Sequence, residues 1–239
     1  TDHLFRWVKP FTVPIWRDAA AVTVPSAEIA QLVQRAYGLN AQVIPNGVEL
    51  ETLKPQPPKV HEPIRLVFVG RFSPQKNLPF LLEVLAKLRD LDWRLDLVGD
   101  GPLRGELEDL ARRGDLAARI HFHGWVAPEE ATTVMRHSDL LVMPSLSEGL
   151  PLVGLQALGL GLALATSDHR SFHDIVQDGY NGFTSPVTDA EVFAGRLRGV
   201  LAHPQVLLAM KRASLEMAPR FEAGKVARQM EKLLMAAGN

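Results

Sequence analysis

The chain has 239 residues, 46% of them hydrophobic, and a formal net charge of −1 from 26 basic and 27 acidic side chains. This length and apolar content are enough for one large or two small domains with buried cores. The balanced charge, without a basic block, argues against a nucleic-acid partner. Because the chain has no cysteine, disulfides and thiolate metal sites are excluded, and a cytoplasmic location is the expectation.

Two stretches of the chain bear on targeting and membrane insertion. The first ten residues have neither the basic start nor the apolar core of a signal peptide. The longest apolar stretch, residues 150–165, contains Pro151 and Gln156 and is too short for a membrane span. A buried strand, helix and strand are the better interpretation of that stretch.

The region before residue 64 has a different texture from the rest. Residues 18–35 carry a helical pattern, and residues 54–63, K-P-Q-P-P-K-V-H-E-P, are rich in proline and poor in apolar side chains. Such a composition predicts an interdomain linker. The residues before it are too few for a complete α/β domain, so we expect that the chain lacks an N-terminal half.

Short β-rich runs alternate with helical patterns from residue 64 onward. The runs are I-R-L-V-F-V-G, R-L-D-L-V-G, I-H-F-H-G-W, L-L-V-M-P-S, A-L-A-T-S and D-I-V. This alternation predicts an α/β fold with a doubly wound parallel sheet. Residues 66–69 and 140–143 are apolar throughout, as expected of strands covered by helices on both faces. Ligands of such sheets gather at the carboxyl ends of the strands, so the loops there are the candidate sites.

The loop V-G-R-F-S-P-Q-K-N follows the first of these strands. Gly70 ends the strand, and Arg71 and Lys76 flank a turn that leads into a helix. Two cations beside a helix N-terminus suit a diphosphate. A solvated loop with surface cations is an equally compatible interpretation from these residues alone.

The loop V-G-D-G-P-L-R-G-E-L resembles a loosened dinucleotide-binding fingerprint through Gly99, Gly101 and Gly105. Its spacing differs by one residue from that fingerprint, and histidines stand where a ribose-binding acid belongs. An oxidoreductase with a nicotinamide or flavin cofactor is therefore only a weak alternative.

The run I-H-F-H-G-W-V places Ile120 and Phe122 on one face of a strand and His121 and His123 on the other. Paired histidines suggest a metal, but no nearby Asp, Glu or Cys completes a ligand set with recognisable spacing. A structural role is the prediction for both histidines.

The stretch S-E-G-L-P-L-V-G-L-Q follows the strand L-L-V-M-P-S. Gly149 and Pro151 predict a tight turn into a helix, whose free N–H groups would lie near Glu148. Burial of an unpaired carboxylate is costly, so we expect Glu148 to be compensated by ligand hydroxyls and helix amides. Gln156, deeper in that helix, can also bind a hydroxyl. A capping carboxylate and a tolerated core amide are the structural alternative.

Six motifs in order resemble the retaining GT-B glycosyltransferases of family GT4, the group 1 family. They are I-P-N-G-V-E-L-E-T-L-K-P, V-G-R-F-S-P-Q-K-N, V-G-D-G-P-L-R-G-E-L, H-G-W-V, S-D-L-L-V-M-P-S-L-S-E-G-L-P-L-V and A-T-S-D-H-R-S-F-H-D-I-V-Q-D-G-Y-N-G-F. The tail F-E-A-G-K-V-A-R-Q-M-E-K-L-L resembles the family's last helix. The resemblance implies the C-terminal half of a GT-B fold and transfer of a hexose from a nucleoside-diphosphate sugar.

The resemblance also implies roles for individual residues. Arg71 and Lys76 would bind the donor diphosphate and stabilise the charge of the leaving group, while Glu148, the first acid of the E-x7-E motif, would hold the donor sugar. These three are the expected catalytic residues. The expected donor-binding residues are Gly70, Trp125, Val126, Gly149, Leu150, Pro151, Leu152 and Gln156. No metal or other cofactor is implied, because the UDP-, GDP- or ADP-sugar is the substrate.

Two departures from the family pattern concern the candidate site. Gln156 stands where the second acid of the motif normally holds the ribose, and a neutral amide should hold it more weakly. Asp168, His169 and Arg170 lie where the family usually has a glycine pair. A catalytically degenerate nucleotide-sugar-binding module of the same fold is therefore the main alternative.

The resemblance implies three parts of the chain. Residues 1–58 would be the end of the acceptor domain with the linker, residues 59–215 the nucleotide-sugar-binding domain, and residues 216–239 a helix that crosses back toward the N-terminal domain. The acceptor, a saccharide or a lipid-linked saccharide, would bind through the missing domain. Peripheral association with the cytoplasmic face of a membrane is expected only with a lipid acceptor, and this chain alone should be inactive in transfer.

Overall fold

A six-stranded parallel sheet lies at the centre of the computed structural model, which describes residues 12–237. The first ten residues, which lack the features of a signal peptide, lie outside the described residues. The strands of this sheet are β3 (Ile64–Val69), β4 (Trp93–Val98), β5 (Ile120–Gly124), β6 (Leu140–Met143), β7 (Ala163–Ser167) and β8 (Gly182–Ser185). Two earlier strands, β1 (Thr23–Val24) and β2 (Gln42–Val43), form a separate two-stranded sheet.

Helices precede, connect and follow these strands. They are α1 (12–17), α2 (Ala27–Tyr37), α3 (Leu50–Leu53), α4 (Leu78–Ala86), α5 (Arg104–Arg113), α6 (Pro128–Arg136), α7 (Leu152–Leu160), α8 (Ala190–Leu201), α9 (Pro204–Met217) and α10 (Ala223–Ala237). Short 3-10 helices form at Pro74–Lys76, Ala117–Arg119, Arg170–Phe172 and Ala218–Phe221. None of the helices within residues 12–237 is long and apolar enough to cross a membrane.

The strand order of the main sheet is β5-β4-β3-β6-β7-β8, and every pair is parallel. The predicted doubly wound parallel sheet is thus confirmed. The chain runs outward from β3 in one direction and, after crossing back to β6, outward in the other. β3 and β6 lie side by side, with Leu66 opposite Leu140. In doubly wound sheets the crevice beside such a reversal, at the carboxyl ends of the strands, is the usual ligand site.

Burial explains why residues 66–69 of β3 and the whole of β6 are apolar. Leu66 and Phe68 belong to a core on one face of the sheet, and Val67 belongs to a second core on the other face; all three are fully buried. Helices cover both faces at these residues, so neither side of this part of the strands is open to solvent.

The prediction of a helix over residues 18–35 is wrong at its start. Residues 23–24 form β1, which pairs with β2, and the helix begins only at Ala27. Pro25 restricts the residue before it to extended conformations, and the Ser26 hydroxyl caps the helix by accepting a hydrogen bond from the N–H of Ile29 at 3.3 Å.

The last strand also differs from the sequence expectation. The run D-I-V, residues 174–176, forms a turn after a 3-10 helix, in which the N–H groups of Ile175 and Val176 bond the carbonyl of Phe172. The edge strand is instead β8. Ile175 and Val176 are apolar because they are buried in the core beneath α7, not because they pair with a strand.

The residues before the linker contact the end of the chain. Residues 54–63 form no helix or strand, which agrees with their composition. Val48 pairs with Glu222: its N–H donates to the carbonyl of Phe221 at 2.8 Å, and its carbonyl accepts from the N–H of Ala223 at 3.1 Å. The helix α10 therefore starts against residues that precede the linker.

A buried ionic cluster lies at the amino end of β6. The carboxylate of Asp139 is fully buried and accepts four hydrogen bonds, from the backbone N–H groups of His61 and Arg65, from the His61 ring and from Lys211 Nζ at 2.7 Å. Burial lowers the pKa of Lys211, although Asp139 acts in the opposite direction. This cluster joins the linker, β3, β6 and α9.

Candidate functional site

The loops after β3 and β4 are in direct backbone contact. The N–H of Gly70 bonds the carbonyl of Val98 at 2.9 Å, and the N–H of Phe72 bonds the carbonyl of Asp100 at 2.9 Å. A Cβ atom added to Gly99 would lie 2.0 Å from the carbonyl oxygen of Gly70, so only glycine fits this contact. Gly99 and Gly101 of the loosened dinucleotide fingerprint thus serve close packing of two loops, whereas a Cβ atom at Gly105 would meet nothing within 4 Å.

These loops form one wall of a cavity of about 510 Å³. Four of the predicted site residues lie together in its lining: Gly70, Arg71, Trp125 and Val126. Trp125 is 81% exposed, an unusual position for so large an apolar surface in the absence of a ligand. Its flat ring is available to stack against a planar group.

Arg71 provides the uncompensated charge of this cavity. Asp100 also lines the cavity, but the N–H of Gly101 and the guanidinium of Arg104 hold the pKa of Asp100 below its ordinary value. Arg104 neutralises that carboxylate at 3.0 Å. Within residues 12–237 Arg71 forms no ion pair, and it is exposed. The cavity can therefore accept an anionic group beside Arg71.

Lys76 and Glu148 connect the loops after β3 and β6. Lys76 Nζ donates to Glu148 Oε1 at 2.5 Å, and the two side chains are 20% and 9% exposed. The expectation that ligand hydroxyls and helix amides alone compensate Glu148 is therefore wrong in part. The lysine supplies the compensating charge, and the second carboxylate oxygen makes no hydrogen bond to the described part of the chain.

The loop between β6 and α7 presents backbone groups. Pro151 immediately precedes α7, and it has no N–H, so it can offer no amide to a ligand. The N–H groups of Gly149, Leu150 and Leu152 bond no acceptor within residues 12–237. Because the Leu150 side chain is buried, this residue can reach a ligand only through its backbone.

Gln156 does not line the cavity beside Arg71. It lies in α7 and shares with Leu152 a second cavity of about 600 Å³, lined also by Glu129 and Arg136. The two cavities flank the start of α6, because Ala131 lines the first and Glu129 the second. The structure thus separates the predicted site residues into three groups, because Lys76 and Glu148 line neither cavity.

Two residues absent from the sequence prediction support the Glu148 loop. The side-chain amide of Gln75 donates to the carbonyl of Ser147 at 2.7 Å, and the backbone carbonyl of Gln75 accepts from the N–H of Leu146 at 2.8 Å. Asn46 Nδ2 donates to the carbonyl of Leu150 at 3.0 Å. The motif that contains Asn46 was visible in the sequence, but a contact across 104 positions was not.

The histidine pair of β5 lies away from the candidate cavity. Its predicted orientation is confirmed, since Phe122 packs against a core while His121 and His123 lie on the opposite face. His123 Nε2 lies 2.7 Å from Asp96 Oδ1, a neighbour on β4 that the sequence did not indicate. Still, no group of three or more His, Cys, Asp or Glu side chains in the described residues is arranged to hold a metal ion.

The residues that replace the expected glycine pair contact α2. His169 Nδ1 lies 3.4 Å from Glu28 Oε2, and Arg170 Nη1 donates to Gln31 Oε1 at 3.1 Å. Neither side chain lines the two cavities described above. This departure from the family pattern therefore joins α2 to the loop after β7.

The family model described as "Glycosyl transferases group 1" matches residues 50–217. Because this match covers more than half of the chain, the chain belongs to that family. The phosphatidyl-myo-inositol mannosyltransferase of Mycolicibacterium smegmatis is 31% identical over 208 residues, 83% of this chain and 52% of that protein. The putative glycosyltransferase EpsF of Bacillus subtilis is 39% identical over 138 residues, 53% of this chain and 35% of that protein.

The fold agrees with solved structures of the GT-B type. Sucrose-phosphate synthase from Thermosynechococcus elongatus has a TM-score of 0.84 at 23% identity, over 95% of this chain and 61% of that one. HepE from Anabaena, solved with UDP and glucose, has a TM-score of 0.83 at 21% identity, over 95% and 66%. The chain spans about half or less of the length of the two curated relatives named above.

Proposed function

We propose that the chain is the donor-binding part of a retaining GT4 glycosyltransferase that transfers a hexose from a nucleoside-diphosphate sugar to a saccharide or a lipid-linked acceptor. Family membership supports a transferase. The observation that carries the finer proposal is the Lys76–Glu148 pair, which spans the reversal between β3 and β6. It puts a cation for phosphate and an acceptor for hydroxyls side by side.

Arg71 and Lys76 are the proposed diphosphate ligands. Lys76 has three N–H donors and uses one for Glu148, so the others remain for phosphate oxygens. When the bond between the anomeric carbon and the phosphate oxygen breaks, the departing diphosphate gains negative charge. Cations already fixed beside it, with the unbonded N–H groups of Gly149 and Leu152, stabilise that charge.

Glu148 is the proposed ligand of the donor sugar. One carboxylate oxygen is held by Lys76, and the other is available to accept hydrogen bonds from sugar hydroxyls. Trp125 and Val126 would contact the base, since they line the cavity next to Arg71. Gln156 would meet the ribose from the adjoining cavity, with the backbone at Gly70 and residues 149–152 enclosing the phosphates. No metal is needed in this arrangement.

The acceptor site belongs in this proposal to a domain outside the chain. The chain spans about half of its mannosyltransferase relative, and residues 1–58 and 216–239 are proposed to border that domain. Closure of the two domains would complete the site and exclude water. We therefore expect this chain to bind nucleotide but to transfer little, in the cytoplasm or at the cytoplasmic face of a membrane.

Gln156 favours one other candidate function, a nucleotide-sugar-binding module without turnover. A carboxylate accepts hydrogen bonds from ribose more strongly than an amide does, so Q156E should raise nucleotide affinity several-fold. Gln205, exposed on α9, provides the matched control Q205E. If Q156E leaves both affinity and turnover of the full-length protein unchanged, the glutamine is not what limits this site.

The proposed activity is tested with the full-length protein and a set of UDP-, GDP- and ADP-hexoses. Slow hydrolysis of one donor is expected, and the proton NMR spectrum of the first product should show the anomeric configuration of the donor. Inversion would contradict retention, and the absence of hydrolysis and transfer with every donor would favour the binding module.

A further inference from the structure

One face of the sheet carries polar side chains where a parallel sheet is normally apolar. On the face toward α6, β3 contributes Arg65, β4 contributes Arg94 and Asp96, and β5 contributes His121 and His123. Strands of parallel sheets are usually buried on both faces and hydrophobic throughout. The opposite face of the same strands keeps that rule, with Leu66, Leu95 and Phe122 in or against the core.

The two arginines of this face are direct neighbours. Arg65 and Arg94 are partners in the β3–β4 register, so their side chains leave the sheet side by side on the same face. Like charges directly opposite each other destabilise a sheet unless something compensates them. No carboxylate in residues 12–237 lies within 4 Å of either guanidinium, and the guanidinium of Arg94 donates no hydrogen bond in that range.

The acid and the third arginine nearby do not relieve this repulsion. Asp96 Oδ1 already pairs with His123 Nε2 at 2.7 Å. Arg119 donates to the carbonyls of Leu91 and Arg89, at 2.6 Å and 2.9 Å. Positive charge is therefore left in excess, on Arg65 and Arg94.

A cavity of about 600 Å³ lies over these side chains. The end of α6 closes one side of it with Thr133, Val134 and His137. Arg65 Nη1 reaches only the carbonyl of His137, at 3.4 Å, and His121 has a ring contact with His123 but no hydrogen bond within the described chain. The cavity thus contains more cationic donors than acidic acceptors, since Asp96 is its only carboxylate and is paired with His123.

This cavity is distinct from those of the proposed donor site. It shares no lining residue with the cavity beside Arg71, and only Thr133 with the cavity of Gln156. Arg65 is the second residue of β3 and Gly70 follows its last, so the two lie roughly 16 Å apart at about 3.3 Å per residue. An anion bound here would therefore contact neither Arg71 nor Lys76, and the inference does not rest on the proposed function.

We propose that this cavity binds a phosphate group, held by the guanidinium groups of Arg65 and Arg94 with His121 as a further donor. Two adjacent guanidiniums present planar forks that match the tetrahedral oxygens of phosphate, and an oxyanion between them removes their mutual repulsion. A metal ion does not suit a cavity with two uncompensated arginines. The phosphate belongs either to a soluble phosphate ester or to the headgroup of an anionic lipid.

Calorimetry with glycerol 3-phosphate and inorganic phosphate tests the proposal on an R71A/K76A background, in which the proposed diphosphate ligands are absent. Binding is expected, with R94Q lowering affinity about tenfold, the loss of one charge-assisted contact. R65Q should have a similar effect. R212Q, which removes an exposed arginine on α9, is the matched control and should bind like the background.

Sedimentation with phosphatidylcholine vesicles that contain phosphatidic acid tests the second source. Binding to the soluble phosphates identifies a soluble ligand, and binding confined to the vesicles identifies a lipid headgroup; each supports the proposal only if R94Q weakens it. The absence of binding in both experiments at millimolar phosphate overturns the proposal. Equal binding by R94Q and R212Q overturns it as well.

Discussion

Two lysine–carboxylate pairs lie at opposite ends of the same sheet, and they differ in how completely the carboxylate is bonded. At the amino end of β6, Asp139 is fully buried and accepts four hydrogen bonds, one of them from Lys211. At the carboxyl end, Glu148 accepts one hydrogen bond, from Lys76, and its side chain is 9% exposed. The first carboxylate has little capacity left for a ligand, whereas the second has one free oxygen.

The difference separates a structural role from a binding role. Asp139 joins four segments of the chain, so its bonds hold the fold together and are lost only when the fold opens. Glu148 joins two loops, so a ligand can rearrange its bonds without unfolding the sheet. An ion pair is informative about function when part of its hydrogen-bonding capacity remains unused.

The largest effect is expected from K211A. This substitution leaves the Asp139 carboxylate buried with its hydrogen bonds but without a countercharge, which costs about 3–5 kcal/mol of the free energy of unfolding. K76A should cost less, about 1–2 kcal/mol, because water can reach the Glu148 side chain, which is 9% exposed, whereas Asp139 is fully buried. Urea denaturation of both variants measures the difference. Equal losses in the two variants would contradict the structural contrast.

E148Q should have the opposite profile to K211A. The amide keeps the shape of the side chain but loses the charge that positions Lys76 and accepts the sugar hydroxyls. We expect turnover of the full-length protein to fall about 100- to 1000-fold, as when one preorganised polar contact is removed, with little change in unfolding midpoint. If E148Q lost stability but kept turnover, Glu148 would belong with Asp139 among the structural acids.

A smaller effect is expected from N46A. Asn46 contacts no part of the first cavity and acts through the carbonyl of Leu150, so we regard it as a positioning residue. One neutral hydrogen bond is worth about 1 kcal/mol, and its loss should weaken nucleoside-diphosphate binding about fivefold. N46D, which cannot donate to the carbonyl when ionised, should behave like N46A. The exposed Asn40 gives the control N40A, which should bind like the wild type.

The sequence predicted the parts of the fold that depend on local pattern. Continuous apolar runs identified β3 and β6, and their alternation with helical patterns identified the doubly wound sheet. The start of α2 was misplaced because a helical period continued through Thr23 and Val24, which pair with β2 instead. The short β8 was missed because G-F-T-S carries too few apolar residues to stand out.

The site was predictable as a set of loops but not as a set of contacts. Glu148 and Lys76 were both singled out, yet the bond between them joins residues 72 positions apart, and only the order of the strands brings them together. For the same reason the sequence grouped Gln156 with the other donor-binding residues, whereas the structure places it in a cavity adjoining the one beside Arg71. Strand order is a property of the whole chain, and no single motif encodes it.

The central claim is that a nucleoside diphosphate binds across the reversal between β3 and β6 with its phosphates on Arg71 and Lys76. Calorimetry with UDP, GDP and ADP, each beside its parent nucleoside, tests this claim most directly, in the wild type, K76A and the control R212Q. We expect that at least one diphosphate binds and that its nucleoside binds at least about tenfold more weakly. K76A should lose most of this difference in affinity, whereas R212Q should keep it. Absence of binding at millimolar concentration, or equal binding of the diphosphate by K76A and the wild type, would contradict the claim.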